Sequence, residues 1–259
     1  MRYVLPILIV VGCLNSAMAE IKTKTVQYND GDVVLEGFVA WDSNKTDREV
    51  PGVLVVHQWM GLTDYEMSRG KQLAELGYVA FALDIYGKDN RPTNRQEAGK
   101  LAGTFKNDRG LYRRRLKLGL EQLLAQDSVS KNQIAAIGYC FGGTGVLELA
   151  RSGANINGVV SFHGGLDSPT PADGKNIKAK VLVCHGADDP FVPAADIESF
   201  KDELNKAGVD WQMNYYSGAV HSFTQPMAGN DNSRGAAYNE SADRRSWAAM
   251  QSFFDELFD

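Results

Sequence analysis

The chain has 259 residues, 44% of them hydrophobic, with 27 Lys and Arg against 32 Asp and Glu for a formal net charge of −5. That length and balance suit one large α/β domain, and no linker-like tract or internal repeat divides it. The acidic balance, with no basic stretch interleaved with aromatics, argues against nucleic acid as a partner.

At the N-terminus Arg2 precedes the apolar run "YVLPILIVVGCL", and Ala17 and Ala19 then flank Met18. A short positive region, a short apolar core and an A-x-A site form the pattern of a secretory signal peptide. The reading is a signal over 1–19 with cleavage after Ala19, a single domain over 20–259, and a periplasmic or secreted product. The apolar run is too short to span a bilayer comfortably, so no transmembrane span is expected in the mature form. The alternative is lipoprotein processing at Cys13, since "VVGC" loosely resembles such a site.

Runs 22–28 and 32–40 alternate apolar and polar residues around "NDG", which predicts an antiparallel hairpin. Six apolar runs follow, over 50–57, 78–84, 132–139, 156–163, 178–185 and 210–216. Their continuous apolarity suits strands covered on both faces. Helical patterns lie between and after them, over 65–76, 109–125, 142–152, 194–206 and 238–258. The basic helix "RGLYRRRLKLGL" reads as a solvated face. Residues 91–108 are expected to form a short helix and a loop over the site. Eight strands alternating with helices predict a mostly parallel sheet with helices on both faces, as in the α/β-hydrolase fold.

The stretch "IAAIGYCFGGTG", residues 134–145, is a strand, a glycine-flanked turn and a helix start, with Cys140 at the apex. Its G-x-nucleophile-x-G form, Gly138 to Gly142, is that of a nucleophile elbow, where small neighbours let strand and helix approach each other. A thiol there requires a base, and the base an orienting acid, in the chain order nucleophile, acid, histidine. "VLVCHGADDPFVP" supplies Asp188 and Asp189 just past one strand, and "YYSGAVHSF" supplies His221 past the last. Asp189 is favoured because Pro190 biases its backbone towards an extended or turn conformation, with Asp188 the alternative. Cys184, in an apolar strand, reads as a small core residue. A Cys140–Cys184 bridge would need Cα atoms within about 7 Å, and an intervening strand argues against it.

The runs "GYCFGG", "HGADDPFVP" and "GAVHSF", together with "VVHQWMGL" and "LGYVAFALDIYGK", resemble the dienelactone hydrolase family of α/β-hydrolases over nearly all of 20–259. The resemblance implies a Cys140, Asp189, His221 triad cleaving a small ester or lactone through a thioester, with no metal or organic cofactor. Elbow geometry offers the Phe141 N–H as one oxyanion donor. The resemblance supplies Trp59 as the second.

Three positions depart from the family pattern. Gln58 stands where the aromatic-degradation enzymes carry a glutamate that helps activate the thiol, and Lys88 and Gln225 stand where two substrate-gripping arginines would be. These three are candidate substrate-binding residues, and dienelactone itself is not the expected substrate. Trp59 and Met60 read as loop packing, as an apolar pocket wall, or as both.

His57, His163, His185 and His221 all fall at predicted strand ends, without local metal-ligand spacing. All but His221 are expected to line the pocket or to be hydrogen-bonded structural residues. Two other functions fit the same fold: a ligand-binding protein without turnover, and an acyltransferase.

Overall fold

The computed structural model describes residues 19–45 and 48–259; the expected signal segment up to Met18, with Cys13, lies outside them. The chain opens with β1 (Ile21–Asp30) and β2 (Val33–Asp42), then β3 (Val50–Val56), α1 (Asp64–Glu75), β4 (Val79–Ala82), α2 (Arg95–Asn107) and α3 (Arg109–Leu124). It continues through β5 (Val129–Tyr139), α4 (Phe141–Arg151), β6 (Gly158–Phe162), β7 (Lys180–Gly186), α5 (Ala194–Ala207), β8 (Trp211–Tyr216) and α6 (Glu240–Phe258). These strands form one eight-stranded sheet in the order β1-β2-β4-β3-β5-β6-β7-β8. β1 and β2 form the antiparallel hairpin, β2 pairs antiparallel with β4, and every later pairing is parallel.

The period of two along each strand divides the core. Leu54, Val56, Ala136, Val159 and Val183 face α3, α4 and α5, while Val53, Val55, Ile137, Val160 and Leu182 face α1 and α6. All ten are essentially solvent-free, each full burial contributing on the order of 1.5–3 kcal/mol for side chains of this size. From β3 the chain moves outward to β4, then crosses back to β5 on the other side of β3. Such a reversal opens a crevice at the carboxyl ends of the strands, the place where open α/β sheets bind ligands.

β4 is shorter than its apolar run because Asp84 leaves the sheet to close a turn. Its Oδ1 accepts the N–H groups of Tyr86 and Gly87 at 3.0 and 3.1 Å. The segment expected as a short helix and loop contains α2, a helix of 13 residues capped by Asn94.

The basic helix α3 departs from the sequence reading. Arg109, Arg113 and Arg115 turn inward instead of forming a solvated face. Arg113 Nε binds Glu148 at 2.8 Å and its NH1 binds Asp173 at 2.7 Å, while Arg115 pairs with Asp30 at 2.6 Å. Glu148 also binds Arg151, which holds Glu203 at 2.7 Å; Glu148 and Arg151 are fully buried. A charge pattern along one helix cannot reveal the acids of these arginines, because they come from β1, α4 and the segment before β7.

Among the described residues, no helix is long and apolar enough to cross a membrane.

Candidate active site

Cys140 ends β5 and caps α4 with φ 54° and ψ −113°, a left-handed conformation that costs a non-glycine residue free energy. The surrounding glycines permit it. A Cβ on Gly138 would lie 2.0 Å from Gly142 O, and one on Gly142 would lie 2.2 Å from Val56 O. The Cys140 N–H is shared between Phe162 O at 3.0 Å and His163 Nδ1 at 3.1 Å.

His221 follows β8, its backbone bridged to Gly235 and Ala237 at 3.1 and 3.0 Å. Its Nδ1 lies 2.8 Å from Asp189 Oδ2, and the His221 ring and the Cys140 thiol interact electrostatically, each favouring the charged form of the other. Asp189 is held in turn by the Phe191 N–H at 2.9 Å, and its side chain is solvent-free. Of the adjacent acids, Asp189 is the one that contacts His221, and Asp188 is exposed. The structure thus brings Cys140, His221 and Asp189 into one line of contacts.

Electrostatics favour a charged pair. Burial opposes ionisation of the Cys140 thiol, but the His221 imidazolium, its hydrogen bond, the Lys106 ammonium and the Phe141 N–H override it and lower the pKa. Burial likewise opposes protonation of His221, and the Cys140 thiolate and Asp189 overcome it, raising the imidazole to about 10. Both shifts favour the charged forms, and Asp189 orients the imidazole. Cys184 behaves oppositely: free, buried and one strand removed, its thiol is pushed up to about 12 by burial.

The sequence profile of the dienelactone hydrolase family matches residues 35–258. The chain belongs to this family. It is 39% identical to a solved structure named m3DLH, covering 92% of this chain and 99% of that one, with a TM-score of 0.88. It is 40% identical to a dienelactone hydrolase-like promiscuous phosphotriesterase from metagenomic libraries, with the same coverages and a TM-score of 0.87. It is also similar to the protein usf of Aquifex pyrophilus, 28% identical over 240 residues, 89% of this chain and 97% of the relative.

In this member of the dienelactone hydrolase family, a cavity of about 550 Å³ opens beside Cys140 and His221. Trp59, Met60, Phe191 and Met227 give it apolar walls, and Gln58 and Gln225 are among its polar ones. Phe191 and the 90% exposed Met227 stand at the solvent edge. Lys88 does not line this cavity; it is exposed in the 3-10 turn Lys88–Asn90. A second cavity, of about 560 Å³, is lined by Val79 and Ser128 at the amino ends of β4 and β5, the sheet edge away from Cys140.

Phe141 opens α4, so its N–H is one of the unsatisfied donors of a helix start, and it contributes to holding the Cys140 thiolate. Stacking on Tyr112 at 4.6 Å and the Tyr112 hydroxyl on Phe141 O at 2.7 Å fix this residue. Trp59 O accepts the Tyr86 hydroxyl at 3.1 Å. No hydrogen bond holds the Trp59 N–H among the described residues.

The other three histidines are buried. His57 Nε2 accepts the Ile85 N–H at 3.1 Å, so its Nδ1 carries the proton that binds Gln58 O at 2.5 Å. His163 accepts from the Cys140 N–H, so its Nε2 donates to Thr224 Oγ1 at 2.8 Å. His185 is buried edge-on against Tyr215. Among the described residues, no group of three or more His, Cys, Asp or Glu side chains is placed to hold a metal ion.

Four residues of the site escaped sequence reasoning. Arg95, at the start of α2, and Arg234, in the turn before Gly235, line the cavity as exposed cations without a salt bridge among the described residues. Lys106 adds positive potential at the thiol. Glu66 lines the cavity as a buried carboxylate. A motif-ordered reading misses the arginines because they flank no strand end, but Thr63 and Glu66 do carry a visible signal, the T-x-x-E of a helix start.

Proposed function

We propose that this protein hydrolyses carboxylic esters or lactones of small molecules through a Cys140–His221–Asp189 triad and a thioester intermediate. The observation that carries the reading is the strained elbow cysteine paired electrostatically with an imidazole that Asp189 orients at 2.8 Å. Membership of the dienelactone hydrolase family supports the same reaction class.

The Cys140 thiolate attacks the carbonyl carbon, and the carbonyl π pair moves onto oxygen. The Phe141 and Trp59 N–H groups receive that oxyanion. Collapse expels the alkoxide, which takes the proton from the His221 imidazolium, leaving an acyl thioester and a neutral imidazole. The imidazole then removes a proton from water as it attacks the thioester. The acid departs, and thiolate and imidazolium are restored.

Gln58 cannot accept a proton at neutral pH. Thiol activation here rests on His221, with Lys106 and the start of α4 adding positive potential. The apolar walls around a few polar groups suit a small organic ester. The N-terminal sequence supports a periplasmic or secreted location for this reaction.

The test is turnover of p-nitrophenyl acetate and small lactones by the wild-type protein and by Cys140→Ala. Turnover lost in the variant is the expected result. A folded wild-type protein that neither turns over nor forms an acyl adduct would instead favour a binding protein. Transfer of the acyl group to an added alcohol in preference to water would favour an acyltransferase.

A further inference from the structure

The loop between β3 and α1 carries Trp59, and its neighbouring backbone groups are pinned. Gln58 O accepts from His57 Nδ1 and from the Gly61 N–H at 3.1 Å, and Trp59 O accepts from Tyr86. The Gln58 N–H donates to Glu66 Oε1 at 3.1 Å. The other oxygen of the same carboxylate, Oε2, accepts the Thr63 N–H at 3.0 Å and the Thr63 hydroxyl at 2.6 Å.

A helix-capping glutamate requires only that second set of contacts. Glu66 does more. Its Oε1 reaches back eight residues to the amide immediately before Trp59, and the group is 1% exposed while lining the cavity with Cys140. Burying a carboxyl at a wet cavity is costly unless its oxygens are satisfied, and these contacts satisfy both. The outcome is a loop in which the amides on either side of the turn are occupied while the Trp59 N–H has no hydrogen-bond partner among the described residues.

We propose that Glu66 is a positioning residue of the oxyanion hole: by clamping the Gln58 and Thr63 amides it aims the Trp59 N–H at the carbonyl oxygen of the substrate. The proposal rests on the thiol-hydrolase reading above. It assigns a role to a carboxylate at Glu66, separate from the absent carboxylate at position 58. Glu66 does not touch the reacting atoms and does not activate the thiol.

That separation defines the experiment. Alkylation of Cys140 by iodoacetamide needs the thiolate but no oxyanion hole, whereas ester turnover needs both. Glu66→Gln keeps the volume but presents an amide N–H₂ to one of two donor sets, and Glu66→Ala removes both clamps. We would measure kcat and KM for p-nitrophenyl acetate per alkylatable Cys140, the rate of peptide-resolved alkylation, and the melting temperature. The expected result is a kcat about 10- to 100-fold lower in both variants, smaller than the roughly 10²–10³ lost when a donor is removed outright because here the donor is only misaimed, with KM and alkylation rate unchanged. Should Glu66→Ala not fold, Glu66→Gln decides alone.

Wild-type kcat in Glu66→Gln would overturn the proposal, as would an alkylation rate falling in parallel with kcat. A lower melting temperature with unchanged kcat per Cys140 would reduce Glu66 to a helix cap. Absence of turnover in the wild-type protein would overturn the hydrolase reading, an outcome distinct from any change confined to the Glu66 variants.

Discussion

His163 Nδ1 lies 3.1 Å from the Cys140 amide nitrogen, and the opposite ring nitrogen binds Thr224 on the loop that carries His221. A neutral imidazole thus ties the nucleophile elbow to the loop of the base. Burial and the nearby His221 charge hold the His163 pKa well below its ordinary value, as acceptance from an N–H requires. The chain extends through Tyr65, whose hydroxyl meets Thr224 Oγ1 at 2.7 Å, to Arg69 and Asp243.

Breaking that tie is expected to cost both stability and rate. His163→Ala leaves the Thr224 hydroxyl one partner short and opens space against His221, whose ring it meets edge-on at 5.3 Å. Urea unfolding should show a loss of about 1–3 kcal/mol, the cost of unsatisfying a buried polar group, together with lower kcat. Unchanged stability and rate would show the tie to be idle.

The pH dependence of Cys140 alkylation follows from the paired shifts. The thiol pKa is lowered, so thiolate is present above that value and is lost as pH falls through it. His221 stays protonated until pH rises through about 10. Wild-type alkylation should therefore reach its plateau at a lower pH than a free thiol does, and fall on acidification. In His221→Ala the chief stabiliser of the thiolate is gone, and a thiol near pKa 8.5 is only a few per cent ionised at pH 7. Its alkylation at pH 7 should fall below that of the wild type, measured by mass spectrometry of the Cys140 peptide.

The buried charges beneath α4 make a separate prediction for stability. Arg151 is fully buried, and its guanidinium binds Glu203 and Glu148 at 2.7 and 3.1 Å. Glu203→Ala strands part of that charge, and removal of one partner from a buried pair costs about 3–5 kcal/mol. Chemical denaturation should report a loss of this size. Because this cluster lies in the layer beneath the elbow, kcat per folded molecule should change little.

Substrate charge should be read at the cavity mouth. Arg95 and Arg234 are exposed, so each is expected to contribute modestly to binding an anionic substituent. Their joint replacement by Ala should raise KM for a carboxylate-bearing ester by about two- to tenfold, on the scale of two exposed ion pairs. A neutral ester of the same size should be unaffected, and the difference should shrink at high salt. Equal changes for both esters would show that the arginines act through packing.

Much of this was legible in the sequence because the signals are local. All eight strands could be read, the opening hairpin from its alternation and the later six from apolar runs, though β8 proves to be a partly exposed edge strand, and the elbow glycines mark where β5 meets α4. Local rules alone do not separate Asp189 from Asp188; the contact that distinguishes them is with His221, 32 residues away. Arg113 and Arg115 looked solvated because their acids lie on other elements. Arg95 and Arg234 reach the cavity through the path of the chain across the sheet, and Lys88, chosen by position in a motif, does not. Glu66 had a visible capping pattern, but its contact with the Gln58 amide exists only once α1 docks.

The most direct test of the central claim is to quench a reaction with p-nitrophenyl acetate within the first turnovers and map the acyl group by mass spectrometry. The account predicts an acetyl thioester on the Cys140 peptide of the wild-type protein, and neither adduct nor turnover in Cys140→Ala. Turnover persisting in Cys140→Ala, or an acetyl group on another residue that forms and decays at the turnover rate, would contradict it.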